Sequence, residues 1–168
     1  IGLLVSRTAQ AGFVQVTHVG PQAAQETPVV QQPEPFVASP QSLSVAALEQ
    51  QFGLTGRVVL GGLRFATGSA QLDEEQFPVL NVLAEYLRAN PGVRFALVGH
   101  TDASGNLDAN IALSKRRASA VAERLFSEFG IPRAQLSAEG MGYLAPLATN
   151  LTEEGREANR RVEVIILP

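Results

Sequence analysis

The run GHTDASGNLDANIALSKRRA, residues 99–118, follows an apolar strand pattern over Val93–Val98 and opens a helical pattern that continues to Gly130. Strand, loop and helix in that order put the loop side chains at the carboxyl end of a strand and beside a helix amino terminus. Open α/β sheets bind ligands there. Within the helix, Asn110, Leu113 or Ser114, and Arg117 recur at spacings of three and four, so they share the face that is in register with the loop. Asp102 and Arg117 then stand at the two ends of one loop-helix unit, with Thr101 beside the acid. A fixed carboxylate and a fixed guanidinium form a receptor for a zwitterion, the acid taking an ammonium and the base gripping a carboxylate through two N–H groups.

Working outward, Val93, Phe95 and Leu97 point to one face and Ala96 and Val98 to the other, as a sheet covered on both sides requires. Upstream, Val45 to Phe52 reads as a short helix and RVVLGGLRF, residues 57–65, as the first strand, with Gly61-Gly62 as a bulge or a close backbone approach. Phe77, Leu80, Leu83, Ala84 and Leu87 form a helical stripe closed by Asn90-Pro91-Gly92. Asp73 and Gln76 suit a capping pair, and Pro78 is tolerated if that helix starts near Gln76. Downstream, Ile111, Ala118, Val121, Ala122, Leu125 and Phe129 are the buried stripe of the helix after the central loop, with Asp108 expected at its cap. Gln135–Gly140 reads as a strand, Glu153–Asn159 as a short helix and Arg161–Leu167 as the closing strand. The order βαβαβ(α)β predicts an α/β sandwich with the helices packed on one mixed sheet.

The first 43 residues differ in kind. Prolines at 21, 28, 33, 35 and 40 among Gln, Ala and Val block helix and favour extended chain, so residues 20–42 read as a linker. Phe13 to His18 alternates like a short strand. Residues 1–43 are therefore expected to be an extended segment and linker, a remnant of an upstream region, and 44–168 the folded domain. Ile1 in place of a methionine points to an anchor or barrel outside this chain, and Ile1–Val5 is far shorter than the roughly 20 apolar residues that cross a bilayer. A chain of 168 residues, 45% hydrophobic, builds one such domain and not two. Its net charge of -3 gives no general attraction to nucleic acid. With no cysteine, disulfides and thiolate metal sites are excluded.

Three motifs in order, Gly99-His100-Thr101-Asp102 with Gly105, then Asn110, Leu113-Ser114 and Arg117-Ala118, then Gly155-Arg156 with Asn159-Arg160-Arg161-Val162-Glu163, resemble the OmpA-like carboxy-terminal domain, a non-catalytic peptidoglycan-binding module. The match runs from about Val58 to Leu167. The resemblance implies that Asp102 and Arg117 hold the diaminopimelate of the peptidoglycan stem peptide. It further implies that the Thr67-Gly68 loop lies beside the ligand groove and that Arg160 lies near it, and it places the protein in the periplasm with the outer membrane and cell wall. Ala66 departs from the family pattern, in which many relatives carry an acid.

Competing chemistries are weaker. His100 with Asp102 and Ser104 or Ser114 lacks the separate element that would orient a catalytic base, and no G-x-S-x-G elbow is present, so no enzyme is expected. The two histidines, His18 and His100, lie far apart and no carboxylate cluster has ligand spacing, so no metal and no cofactor is expected. A different class remains open: an envelope assembly or dimerisation module, stator-like or secretion-associated, with little cell-wall binding and a homodimer as its state.

Overall fold

Short, mostly apolar runs form the strands β1 (Val37–Ala38), β2 (Arg57–Leu60), β3 (Arg94–Gly99), β4 (Leu136–Gly140) and β5 (Val162–Leu167). The computed structural model describes residues 37–38, 44–63, 65, 68–72 and 77–167. Thr67, the Asp73/Gln76 pair, the Phe13–His18 run and most of the 20–42 linker lie outside the described residues. The chain divides into Ile1–Pro33 and a compact unit Glu34–Pro168, which holds every element described below.

The sheet order is β1-β2-β5-β3-β4, with β5 antiparallel to β2 and β3, and with the β1–β2 and β3–β4 pairs parallel. The sheet is therefore mixed, as expected. Val37 and Ala38, inside the stretch read as linker, pair with Val59 and Leu60. The first strand stops at Leu60 rather than Phe65, because Gly61 N–H donates to Val59 O at 3.0 Å and Gly62 adopts φ 85, which turns the chain.

Four helices follow the sequence pattern: α1 (Val45–Thr55), α2 (Phe77–Ala89), α3 (Leu107–Ser127) and α4 (Glu153–Asn159). Pro78 falls in the first turn of α2, where an N–H has no intrahelical partner to lose. Asn106, not Asp108, caps α3: its Oδ1 accepts from Ala109 N–H at 2.9 Å, and Asp108 sits one residue inside the first turn as an acid facing the positive helix end.

Val58 and Leu60, Phe95 and Leu97, and Val162 and Val164 all turn to one face and meet Leu48 and Phe52 of α1, Leu80, Leu83 and Leu87 of α2, and Val121 and Leu125 of α3. Each fully buried leucine of this core contributes about 1.5–3 kcal/mol. Helix α3 crosses the sheet where Gly99 pairs with Gly140. A Cβ on Gly99 would stand 2.0 Å from Ser114 O and one on Gly140 2.3 Å from Ile111 O. Glycine at both positions lets helix backbone touch strand backbone, and this sets the height of the α3 face above the loop that leaves β3.

Candidate ligand-binding site

Backbone bonds fix the loop after β3 from both sides. His100 N–H donates to Arg161 O at 2.8 Å, Thr101 N–H to Gly142 O at 2.9 Å, and Met141 N–H to Gly99 O at 3.0 Å. Ala103 N–H donates to Asn150 Oδ1 at 3.0 Å, and Asn150 Oδ1 also accepts from Asn159 Nδ2 at 3.1 Å. Asn159, fully buried, accepts in turn from Leu147 and Ala148 N–H at 2.8 and 3.1 Å. One asparagine at the end of α4 thus ties down the loop that carries the acid.

Asp102 is buried, and both carboxylate oxygens are held. Oδ1 accepts from Ser104 N–H at 2.8 Å in an Asx turn, and Oδ2 accepts from Arg160 Nη1 at 2.9 Å. Burial by itself pushes this carboxyl up, but the hydrogen bonds from Ser104 and Arg160 outweigh it and hold it below its ordinary value. Asp102 is charged at neutral pH.

Arg117 is 1% exposed, whereas its neighbours Lys115 and Arg116 are exposed. Its Nε donates to Ser69 O at 3.0 Å, and its guanidinium lies over the Phe65 ring, 5.0 Å from the centroid. Burial lowers its pKa, Arg160 adds to that, and Asp102 and Glu157 oppose it. Acid and base therefore feel each other's charge, while each is gripped by other groups. Asp102 is bonded to an internal cation, Arg160, while Ser69 and Phe65 lie against the Arg117 guanidinium.

The other candidates divide by role. Thr101 is 3% exposed and, among the described residues, its Oγ1 has no hydrogen-bond partner. Asn110 braces the loop, its Nδ2 donating to Ser104 O at 2.7 Å and Asn106 O at 3.0 Å. Leu113 is half-buried on α3, and Gly68, φ 71, precedes the Ser69 carbonyl that Arg117 grips. Arg160 is joined to Asp102, Glu153 and Glu157. Of the two serines in the hydrolase reading, Ser114 is engaged elsewhere: its Oγ donates to Ile111 O and accepts from Gly142 N–H.

A second polar cluster lies beneath the loop. Glu163 Oε1 accepts from Arg161 Nε at 2.8 Å, Glu163 Oε2 meets Arg57 Nη1 at 3.4 Å, and His100 Nε2 is 3.7 Å from Glu163 Oε1. Burial drives His100 down to about 4, with Arg161 reinforcing the shift and Glu163 opposing it, so the imidazole is neutral.

A sequence model of the OmpA family matches residues 64–160, more than half of the chain. The chain belongs to the OmpA family. The peptidoglycan-binding protein ArfA of Mycobacterium tuberculosis is 37% identical over 106 residues, 63% of this chain and 32% of that protein. Outer membrane protein Omp38 of Acinetobacter baumannii is 32% identical over 161 residues, 92% of this chain and 41% of that protein. The crystal structure of the peptidoglycan-associated lipoprotein from Burkholderia pseudomallei superposes with TM-score 0.58 at 30% identity, covering 62% of this chain and 88% of that one. The chain spans about a third of ArfA and two-fifths of Omp38.

In this OmpA-family domain the residues of the distal motif make internal contacts. Asn159 holds the loop, Arg160 holds Asp102, and Arg161 pairs with Glu163 while Nη2 donates to Ala145 O at 3.0 Å. The structural ion pairs that strand-end arginines commonly make are present here. The residues under and over Arg117, Phe65 and Ser69, were not singled out from sequence. Nothing in their local pattern marks them, since they meet Arg117 from about fifty positions away.

Proposed function

We propose that this domain binds peptidoglycan noncovalently through the diaminopimelate of a stem peptide, in the periplasm, and so tethers an outer-membrane or envelope component to the cell wall. The observation that carries the reading is the pair Asp102 and Arg117, two opposite charges within each other's field and each fixed by neighbours. The names of the relatives point the same way. Diaminopimelate presents an ammonium and a carboxylate on one carbon, and each must lose water to enter a groove. A fixed opposite charge for each offsets that loss, which unpaired burial would not. Asp102 receives the ammonium on the lone pairs that Ser104 and Arg160 leave open, Arg117 receives the carboxylate in exchange for part of its present cover, and Thr101 Oγ1 adds a hydrogen bond. The activity is recognition, with no bond made or broken.

Retention on purified sacculi tests the reading. Asp102→Ala and Arg117→Ala should each weaken binding by about 2–5 kcal/mol, the cost of leaving one member of a desolvated pair alone. Undiminished retention of both variants would remove these residues from the site. Sacculi whose stem peptide carries lysine test the finer point: lysine keeps the amine and lacks the second carboxylate, so Arg117 loses its partner and binding should drop to the level of Arg117→Ala. Equal retention on both wall types would rule out diaminopimelate as the feature recognised.

A further inference from the structure

We infer that Arg160 is a positioning residue for the ligand site, one that holds the Asp102 carboxylate charged and aimed while committing its own donors to protein carboxylates and none to ligand. The inference rests on the peptidoglycan reading for the identity of the ligand, though the arrangement of charges stands by itself.

A guanidinium has five N–H groups. In Arg160, Nε donates to Glu157 Oε2 at 3.1 Å, Nη1 to Asp102 Oδ2 at 2.9 Å, and Nη2 to Glu153 Oε1 at 2.7 Å and to Glu157 Oε2. Four of the five are taken, so the two parallel N–H bonds that make an arginine a good carboxylate receptor are not on offer. One cation also faces three carboxylates, and a ligand carboxylate arriving there would be repelled by the surplus negative charge. Arg117 is held differently, its Nε on the Ser69 carbonyl and its guanidinium over the Phe65 ring. On the peptidoglycan reading the ligand's ammonium goes to Asp102 and its carboxylate to Arg117, and Arg160 takes neither.

Positioning needs a rigid support, and Arg160 has one. Its backbone N–H closes α4 through bonds to Arg156 O and Glu157 O, both 3.1 Å. Its side chain is 14% exposed, against 63% for Glu153 and 52% for Glu157. At Asp102, Ser104 N–H and Arg160 Nη1 each occupy one lone pair on a different oxygen. A carboxylate held at both oxygens cannot rotate, so its remaining lone pairs, about two of four, keep fixed directions toward an incoming ammonium. Removing Arg160 would leave Asp102 free to turn and crowded by Glu153 and Glu157, and both changes favour the protonated acid.

The test reads Asp102 directly and then reads binding, using Arg160→Met, Arg160→Lys and Glu157→Gln in the full chain. In the free protein, carbon NMR of the Asp102 carboxyl is followed from about pH 2 to about pH 7, around the ordinary carboxylate range. The midpoint should rise by about one unit or more in Arg160→Met, stay near wild type in Arg160→Lys, which keeps the charge, and fall in Glu157→Gln, where Arg160 has one competitor fewer. Sacculus retention of Arg160→Met should be several-fold lower at neutral pH and be lost on acidification at a pH shifted upward by the same amount as the carboxyl titration. Arg160→Lys should recover the pH at which retention is lost but not the full affinity, since an ammonium does not fix the carboxylate plane. An unmoved Asp102 midpoint in Arg160→Met, tighter sacculus binding by that variant, or a loss equal at every pH would each overturn the inference. A shifted midpoint with a wild-type protein that ignores sacculi would support the positioning role and sink the peptidoglycan reading, so the two failures are distinct.

Discussion

His100 Nε2 stands 3.7 Å from a glutamate, yet the side chain is neutral, because burial and Arg161 together outweigh Glu163 and set its pKa at about 4 against 6.5 in an unfolded chain. Between those two values the unfolded chain takes up a proton that the folded one refuses. Stability is therefore full above about pH 6.5 and falls by about 3 kcal/mol as pH drops to about 4. Urea midpoints near pH 7 and pH 4.5 should show this loss, and His100→Asn should flatten it. Asp102, also depressed, contributes stability that is present above its unfolded value of 3.8 and lost only as pH falls further, so the two effects occupy different windows. A slope unchanged in His100→Asn would assign the acid loss to carboxylates alone. The residue scale also shows what the sequence could and could not disclose. Arg117 was separable from Lys115 and Arg116 by its spacing from Asp102, and it alone of the three is buried. The Asp102–Arg160 bond joins residues 58 positions apart, and no local period reports such a pairing.

At the scale of elements, the α3–sheet junction is the most sensitive contact. Gly99→Ala places a methyl 2.0 Å from a helix carbonyl that has no freedom to move aside, because Ser114 sits in the middle of α3. The expected cost is at least about 1–3 kcal/mol, and the Asp102 loop should shift with it. Gly53→Ala is the counterpart: Gly53 lies inside α1 with nothing within 4 Å, so alanine should stabilise the protein by about 0.5–1 kcal/mol through helix propensity. Denaturant midpoints that moved together in the two variants would mean α3 does not rest on the strand backbone. The α4 boundaries and the cores of α2, α3, β3 and β5 were readable because their apolar period is regular and their termini carry glycine or capping residues. The ends failed where short-range chemistry competed. Gly61-Gly62 made a turn where a bulge or a close backbone approach was expected, and Asn106 reached the α3 amino terminus two residues before Asp108. Strand β1 was unreadable for another reason: its two residues gain strand geometry only by pairing with Val59 and Leu60, some twenty positions on.

For the whole molecule, a net charge of -3 gives no general attraction to an anionic polymer, so under the proposed function attachment comes from the Asp102–Arg117 site. Asp102 and Arg160 have 12% and 14% side-chain exposure and Arg117 lies deeper still, so under the proposed function a ligand carboxylate displaces protein contacts at Arg117 before gaining its own. Under the proposed function, that exchange is expected to keep single-site affinity modest. A tether does not need more: copies sharing one surface bind the polymer at high effective concentration, and avidity exceeds single-site affinity by about 10²–10⁴. Free protein should therefore be retained on sacculi, but less than the same protein displayed densely on beads, and Asp102→Ala should lower both forms of retention. The assembly alternative makes the opposite demand. Strand β4 ends the sheet with β3 as its only partner among the described strands, which is where a second copy would add. If light scattering finds a tight dimer at micromolar concentration and bead display adds nothing to wall retention, the domain is an assembly module; a monomer whose retention rises with display density is a wall anchor.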